Sequence, residues 1–479
     1  MAEDPASQLN ALMHTIGHIS NRDDFLAKML ALPAPLGVGD EVRFDHSTRT
    51  WHIWNGIRWE PDKTTSIYEI VRRKVLTVWL NLKVSEDEQK AFLTMLNAQK
   101  KDSVLKMLAS MPGIAMTGEE WDTNPRLIGF ENGVLDLETL NFDTKPDPGL
   151  LISRSTRHVW DPSADRTLFD NFLMDIMSGD QDLAFYVLRL LGYSMLGENT
   201  EQKFWMWVGG GSNGKGILAR TVTKALGDYA YSPPDTLYMR TKIGAATSST
   251  PRPELLKLQG ARFTYMSEPQ GGQFNEALLK AHSGNDPIEA RTLYSAKYKT
   301  FFPTHKIIFL TNEMPATDDV GPSMQRRVRI VKFMEDYRPE TGRADFTLEP
   351  RLQEEKNLQG ALVAMAHAAQ LYIQSINLPE PEKVLGWSKA YINDNDPTSA
   401  FVSAMCIEDK EAEQQAGALY KAFDTFCEQN GYEGMTMTAF GRHMAGRYVK
   451  KVRATGTFYT GLRLKNMTDH VLEGKDGDE

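Results

Sequence analysis

From Phe204 to Val222 the chain reads FWMWVGGGSNGKGILARTV, and its glycines and single lysine admit two chemistries. Gly209, Gly211 and Gly214 fit G-x-G-x-x-G, a dinucleotide loop. Gly209, Gly214 and Lys215 fit G-x-x-x-x-G-K, a loop that wraps nucleotide phosphates. Both need a strand before the loop and a helix after it. Phe204 to Val208 supplies an aromatic-rich strand, and Ile217, Leu218, Val222, Ala225 and Leu226 recur at helical spacing. A dinucleotide site also needs an acid about 20 residues on, at the end of a second strand. The candidate, Asp235, follows Tyr231-Ser232-Pro233-Pro234, and a Pro-Pro pair does not belong in a buried strand. The phosphate reading is therefore preferred. Gly209, Gly210, Gly211, Ser212, Asn213, Gly214, Lys215 and Gly216 form the expected nucleotide-binding run. Its backbone N–H groups and the helix N-terminus attract phosphate oxygens, and Lys215 reaches the β and γ phosphates. Gly216 is a departure, because a Ser or Thr there would place a hydroxyl on Mg²⁺. Either the ion is held by other groups and water, or the loop binds nucleotide without efficient hydrolysis.

Three further stretches carry residues that suit hydrolysis. ARFTYMSEP supplies Glu268, a carboxylate after a strand that could polarise an attacking water and help hold a metal; its neighbour is Ser267 rather than a second acid. HKIIFLTNEMP ends its apolar run at Thr311-Asn312, where an Asn can orient water and sense the γ-phosphate. SMQRRVRIVKF offers Arg326 and Arg327 before a strand, with fixed charge and forked donors suited to a nucleotide on a neighbouring subunit. Lys215, Glu268, Asn312 and Arg326/Arg327 follow one another in chain order, each beside a strand. That order makes the set more specific than any one member. Between Glu268 and Asn312, Lys297 and Lys299 flank Tyr298, pairing phosphate-binding charge with a ring that can stack on a base.

The elements that must hold these residues alternate helix and strand, which predicts an α/β core over 165–340. Residues 1–40 read as a weak helix and a loop; His14 and His18 share a helical face but lack a third ligand for a metal. Residues 41–164 read as an aromatic hairpin turning at Asn55-Gly56, then helices over 65–115, then two strands joined at Asn132-Gly133. Residues 341–396 are helical, strongest in LQGALVAMAHAAQLYI. Residues 397–470 give helices over about 400–447 and a two-stranded wing, and 471–479 an acidic tail expected to lack structure.

Bulk properties bound the rest. A 479-residue chain is too long for one core. Its 54 basic and 63 acidic residues give a net charge of −9, which argues against a whole-surface nucleic-acid binder while allowing a local basic stripe. Two cysteines, no secretory-type start and no run near the ~20 apolar residues of a membrane span predict a cytoplasmic protein with no membrane partner.

On the segments NPRLIGFENGVLDLETL, LRLLGYSMLG, GGGSNGKG, LLKAHSGNDPIEARTLYSAKYKTFFPTHKIIFLTNEMP and MQRRVRIVKF, the chain resembles the superfamily 3 helicases of the AAA+ class. The likeness is to the branch of phage and plasmid primase–helicases and the related poxvirus nucleoside triphosphatase. It runs in order over residues 41 to 470. The resemblance implies a P-loop motor with a mostly helical N-terminal domain and a C-terminal winged-helix-like domain. It implies ATP and Mg²⁺, with Glu268 near the metal, and a loop ending in Gly-Lys-Gly is tolerated in this branch. It further implies a ring, expected as a hexamer, with Arg326 or Arg327 acting across the subunit interface. The ring would move on single-stranded DNA at a fork, with Lys297, Tyr298 and Lys299 on a channel hairpin. Asp286 and Arg291 match positions that support that hairpin. A primase or polymerase would be a separate partner, and a phage or mobile element the source, placing the protein in the host cytoplasm. The basic residues Arg442, His443, Arg447, Lys450, Lys451 and Arg453 could hold duplex DNA. The alternative is a nucleotide-switched DNA-binding or origin-assembly factor without sustained unwinding, which Gly216 and Ser267 favour.

Overall fold

The computed structural model describes residues 22–34, 36–81, 98–240, 252–269, 272–290, 298–430, 432 and 434–466. His14, His18, Arg291, Lys297 and the acidic tail lie outside the described residues. The architecture is mixed α/β. A helix α1 (Arg22–Ala31) precedes strands β1 (Val42–Asp45), β2 (Thr50–Trp54) and β3 (Trp59–Pro61), then helices α2 (Ile67–Asn81) and α3 (Ala98–Leu108) and strand β4 (Ala115–Met116). The sheet runs β3-β2-β1-β4, and the β2–β3 turn falls at the expected Asn55-Gly56, where Asn55 Oδ1 accepts the Ile57 and Arg58 amides. Leu26, Leu30, Val71, Val75 and Leu108 close a small core against it. A second small sheet, β5 (Leu127–Phe130), β6 (Gly133–Asp136) and β7 (Phe142–Asp143), contains the expected strand–turn–strand and a third strand the sequence does not announce.

The central unit begins with α4 (Thr167–Ile176) and α5 (Gln181–Tyr193). β8 (Phe204–Val208), α6 (Lys215–Leu226), β9 (Ala230–Tyr231), β10 (Phe263–Ser267), α7 (Glu276–Ser283), β11 (Ile288–Ala290), β12 (Lys299–Phe301), β13 (Lys306–Thr311) and β14 (Val328–Lys332) follow. α8 (Glu355–Ser375) and α9 (Glu382–Asp394) complete it. Five strands form one parallel sheet in the order β14-β8-β13-β10-β9. Its strands are largely apolar because helices cover both faces, with Lys306 and Arg329 as buried exceptions. Side-chain alternation in β8 shows this directly. Trp205 and Trp207 join the core with α4, α5, α6 and α8, while Phe204 and Met206 join the opposite core with α7 and α9. β9 stops at Tyr231, so the chain leaves the sheet edge just before Pro233-Pro234.

α5 and α8 pack so closely at Gly192 that a Cβ there would lie 2.4 Å from Ala369 N and 2.7 Å from Ala368 Cβ. Gly192→Ala is expected to destabilise the core by about 1–3 kcal/mol, the cost of overpacking against backbone that cannot yield. A thermal unfolding curve unchanged from wild type would show that the helices shift apart freely.

The C-terminal unit holds α10 (Pro397–Met405), β15 (Cys406–Gln415), α11 (Ala416–Asn430), α12 (Met437–Ala445), β16 (Val449–Arg453) and β17 (Gly456–Leu464). β15 corrects the expectation of helices over 400–447. CIEDKEAEQQ has the charge-rich composition of a helix, yet it pairs with β17 from Cys406↔Leu464 to Gln415↔Phe458. It is an edge strand, where exposed charges are favourable and non-local pairing outweighs local preference. Among the described residues, no helix is long and apolar enough to cross a membrane.

Candidate functional site

The carboxyl ends of β8, β13 and β10 lie side by side, the position at which open parallel sheets form a ligand crevice. Each ends in a residue of interest: the glycine loop after β8, Asn312 after β13 and Glu268 after β10. Lys215 opens α6 and is only 6 % exposed. Its ammonium donates to Asn312 Oδ1 at 2.7 Å and to Gly209 O at 3.0 Å. Burial lowers the lysine's pKa, and the nearby Glu268 carboxylate opposes that shift. Two residues 97 positions apart thus meet at one point.

The loop's glycines are needed for space and for backbone angle. A Cβ at Gly209 would lie 2.0 Å from Asn213 Nδ2 and 2.6 Å from Phe333 O. Gly214 takes φ 85°, and a Cβ there would strike Ile176 of α4 at 2.4 Å. Gly214 is also the N-cap of α6 and offers no side chain to its first N–H groups, leaving them directed at the crevice. Asn213 is 2 % exposed, and neither of its side-chain polar atoms has a hydrogen-bond partner. Its Nδ2 packs against Gly209, which is why position 209 has no room for a Cβ. Ser212 and Glu268 both take left-handed backbone angles, φ 47° and 51°, which non-glycine residues seldom adopt.

These residues line a cavity of about 690 Å³. Gly211, Ser212, Asn213, Gly214, Lys215, Gly216, Ser267, Glu268 and Asn312 are among its lining. The apolar part of the lining was not visible in the sequence: Leu168 and Phe172 of α4, with Tyr337, Phe346 and Leu348. The Tyr337 amide donates to Ser212 O at 2.7 Å, and its hydroxyl to Asp175 at 2.6 Å. Arg343 stacks 4.8 Å over the Tyr337 ring and pairs with Asp175 and Glu335. Phe346 stays 81 % exposed beside the cavity. Arg220 bonds Glu349 through two nitrogens, at 2.6 and 2.8 Å, and a Cβ at Gly216 would lie 3.0 Å from Arg220 Nη1. No sequence motif joins residues 337–349 to the loop; only the fold does.

Several expected residues stand elsewhere. Arg326 and Arg327 do not line the cavity and differ from each other. Arg326 is exposed, whereas Arg327 is 7 % exposed and donates to Ser323 O and Oγ, both at 2.9 Å. Burial and Arg326 lower the Arg327 pKa, with Asp286 acting against them. β11 and β12 pair antiparallel, Ala290 opposite Lys299, with Tyr298 49 % exposed beside them. Lys299 Nζ donates to Ser47 Oγ of the N-terminal sheet at 3.1 Å. Thr221 is fully buried on α6 and does not line the cavity. Among the described residues no group of three or more His, Cys, Asp or Glu could hold a metal. Of the C-terminal basic residues, Arg447 bonds Asp396 at 2.6 Å, and Lys451 and Arg453 both pair with Glu413.

A family model described as "D5 N terminal like" matches residues 24–178, and one described as "Poxvirus D5 protein-like" matches residues 393–466. A "Putative helicase" of Acanthamoeba polyphaga mimivirus is 28 % identical over 312 residues, 60 % of this chain and 32 % of that protein. A "Putative helicase" of Frog virus 3 is 25 % identical over 288 residues, 57 % of this chain and 29 % of that protein. A "Putative primase" of African swine fever virus is 28 % identical over 221 residues, 43 % and 22 % respectively. The chain spans about a third or less of the length of these relatives. The apo structure of the NrS-1 C terminal region aligns with a TM-score of 0.49 at 13 % identity, covering 92 % of this chain and 99 % of that one. The poxvirus-type likeness read from the motifs agrees with both family models. They match the N-terminal and C-terminal parts, on either side of the glycine loop.

Proposed function

We propose that this chain is a nucleoside triphosphate-driven DNA helicase of the superfamily 3 AAA+ type, acting as an oligomeric ring in the replication of a virus, phage or mobile element. The observation that carries the reading is the Lys215–Asn312 contact at 2.7 Å, beside the open N-terminus of α6. Helicase and primase relatives in large DNA viruses support it. Phosphates would draw the Lys215 ammonium off Asn312 and Gly209 O and take the loop N–H groups as donors. Glu268 would then accept a proton from water that Asn312 orients, so that attack on the γ-phosphorus proceeds in line. Glu268 is the carboxylate that would hold Mg²⁺, with water completing its shell, and the ion would supply neutralisation of phosphate charge; Gly216 supplies no ligand.

The base would lie against the apolar lining, with Phe346 closing over it. Phe346→Ala is expected to weaken ATP binding about 10-fold while leaving tripolyphosphate binding unchanged, because stacking on an aromatic face contributes about 1–3 kcal/mol per base. Equal ATP affinity by titration calorimetry would remove Phe346 from the site.

The deciding assay is ATP hydrolysis by the purified chain with and without single-stranded DNA, with Lys215→Ala as the blank. DNA-stimulated turnover supports the motor. Tight ATP binding without turnover favours the nucleotide-switched assembly factor, the reading that Gly216 and Ser267 suggest.

A further inference from the structure

We infer that Arg220 binds phosphate in the nucleotide site, and that residue 216 is glycine to leave its guanidinium room. The inference rests on the nucleotide-site reading and adds a second cation to it. Position 216 is where the loop departs from G-x-x-x-x-G-K-[ST]. The backbone there does not require glycine, since Gly216 lies in the first turn of α6 and is not among the residues of positive φ. A glycine inside a helix weakens it. Space supplies the reason. The three atoms nearest to a Cβ at 216 all belong to the Arg220 guanidinium, Nη1 at 3.0 Å and Cζ and Nη2 at 3.8 Å. Residues 216 and 220 are four apart, so they share one face of α6, and both line the cavity with the phosphate loop.

The guanidinium is held along one edge and open at the other. Nε and Nη2 donate to the two carboxylate oxygens of Glu349 at 2.6 and 2.8 Å. Nη1 makes no hydrogen bond among the described residues. The net charge around it is balanced, because Glu349 pairs with Arg220, and Asp175, Glu268 and Asp345 line the cavity beside Lys215 and Arg343. The placement of the remaining donors is what selects phosphate. Nη1 carries two N–H groups and lies beside Gly216, in the same cavity as the loop N–H groups and Lys215. Phosphate oxygens accept readily from a guanidinium, and one already fixed by a carboxylate loses little freedom on binding.

The ion pair alone does not account for the glycine. The Arg220 and Glu349 side chains are 50 % and 30 % exposed, and pairs this exposed add little stability. A larger residue at 216 would push Nη1 away from the loop, since the tip of an arginine yields more easily than the helix. The chain thus holds a fixed positive charge beside the position at which the commoner loop carries a hydroxyl for the metal.

The test uses the full chain in magnesium-free buffer, with inorganic tripolyphosphate as the probe and titration calorimetry as the readout. Arg220→Ala is expected to weaken binding about 10-fold or more, the scale of a lost hydrogen bond to a charged group. Arg220→Gln keeps a donor for Glu349 while removing the charge, so it should show the loss even if Arg220→Ala does not fold. Arg220→Lys keeps the charge without the fork and should recover part of the affinity. Gly216→Ser should weaken binding in the wild-type background and add no loss in the Arg220→Ala background, because it acts by displacing the guanidinium. Glu349→Ala breaks the ion pair but leaves Nη1, and should lose less than Arg220→Ala. Melting temperatures without ligand check that each variant is folded. Losses from Gly216→Ser and Arg220→Ala that simply add would overturn the inference. So would a loss in Glu349→Ala as large as that in Arg220→Ala, which would make the pair a tether only. A wild-type chain that binds neither tripolyphosphate nor ATP removes the nucleotide site and the inference together. Binding that Lys215→Ala abolishes but folded Arg220→Ala or Arg220→Gln leaves intact overturns the inference and leaves the site standing.

Discussion

Lys215→Ala should abolish ATP binding at micromolar nucleotide and reduce hydrolysis by at least about 10²-fold, the scale seen when one preorganised donor to a developing charge is removed. The argument begins with burial. At 6 % exposure the ammonium has little water, and burial already works against its charge. Its two oxygen partners, Asn312 Oδ1 and Gly209 O, are neutral dipoles. Triphosphate would replace them with full negative charge inside a low-dielectric crevice, where a charge-assisted hydrogen bond is about twice as strong as a neutral one. The loop N–H groups remain in the variant but supply dipoles without the compensating cation. Lys215→Arg should rescue little, because a planar guanidinium cannot occupy the gap between Asn312 and Gly209 O as a point charge does. Asn312→Ala separates the two roles: it should retain binding and lose turnover. Calorimetric titration with ATP reports binding, and phosphate release reports turnover. Normal turnover by Lys215→Ala would remove the glycine loop from the chemistry.

What the sequence could reveal here follows interaction range. The strand–loop–helix from Phe204 to Leu226 is local, and an apolar run, tight glycine spacing and a helical repeat mark it without knowledge of any distant partner. Glu268 and Asn312 were legible for a related reason. Each ends an apolar strand, and parallel strands bring their carboxyl ends to one edge. The apolar lining of the cavity was not legible. Leu168, Phe172, Tyr337, Phe346 and Leu348 come from a helix before the loop and a segment far beyond it, with no shared periodicity. Tyr337 reaches the site only because its amide bonds Ser212 O. β15 was misread because CIEDKEAEQQ carries helix-forming charges, while the pairing that makes it a strand lies some 50 residues away in β17. Arg326 and Arg327 looked equivalent as neighbours in sequence. Only side-chain placement separates an exposed guanidinium from one bonded to Ser323.

That separation gives the second large expected effect. Arg326→Ala should bind ATP within about 2-fold of wild type yet hydrolyse it about 10³-fold more slowly, the lower end of what an arginine supplied to a neighbouring nucleotide contributes. Arg326 is exposed and does not line its own cavity, so its contact with phosphate is expected at the nucleotide of another copy of the chain. Arg327 cannot share the role without first leaving Ser323 and the pocket beside Gly284, where a Cβ would lie 3.1 Å from its Nη2. Arg327→Ala should therefore act on stability, lowering the melting temperature by stranding Ser323 O beside an empty volume, with turnover falling only as the folded fraction falls. Mixing decides whether Arg326 works in trans. Lys215→Ala and Arg326→Ala are each inactive alone, but a mixed assembly contains interfaces with an intact loop on one side and an intact arginine on the other. Those interfaces should hydrolyse ATP, so activity should reappear on mixing and vary with the ratio of the two variants. If Arg326→Ala turns over normally, the arginine has no catalytic part. If it is inactive and mixing restores nothing at any ratio, Arg326 serves its own subunit, and the exposed guanidinium must fold back toward the cavity when nucleotide binds.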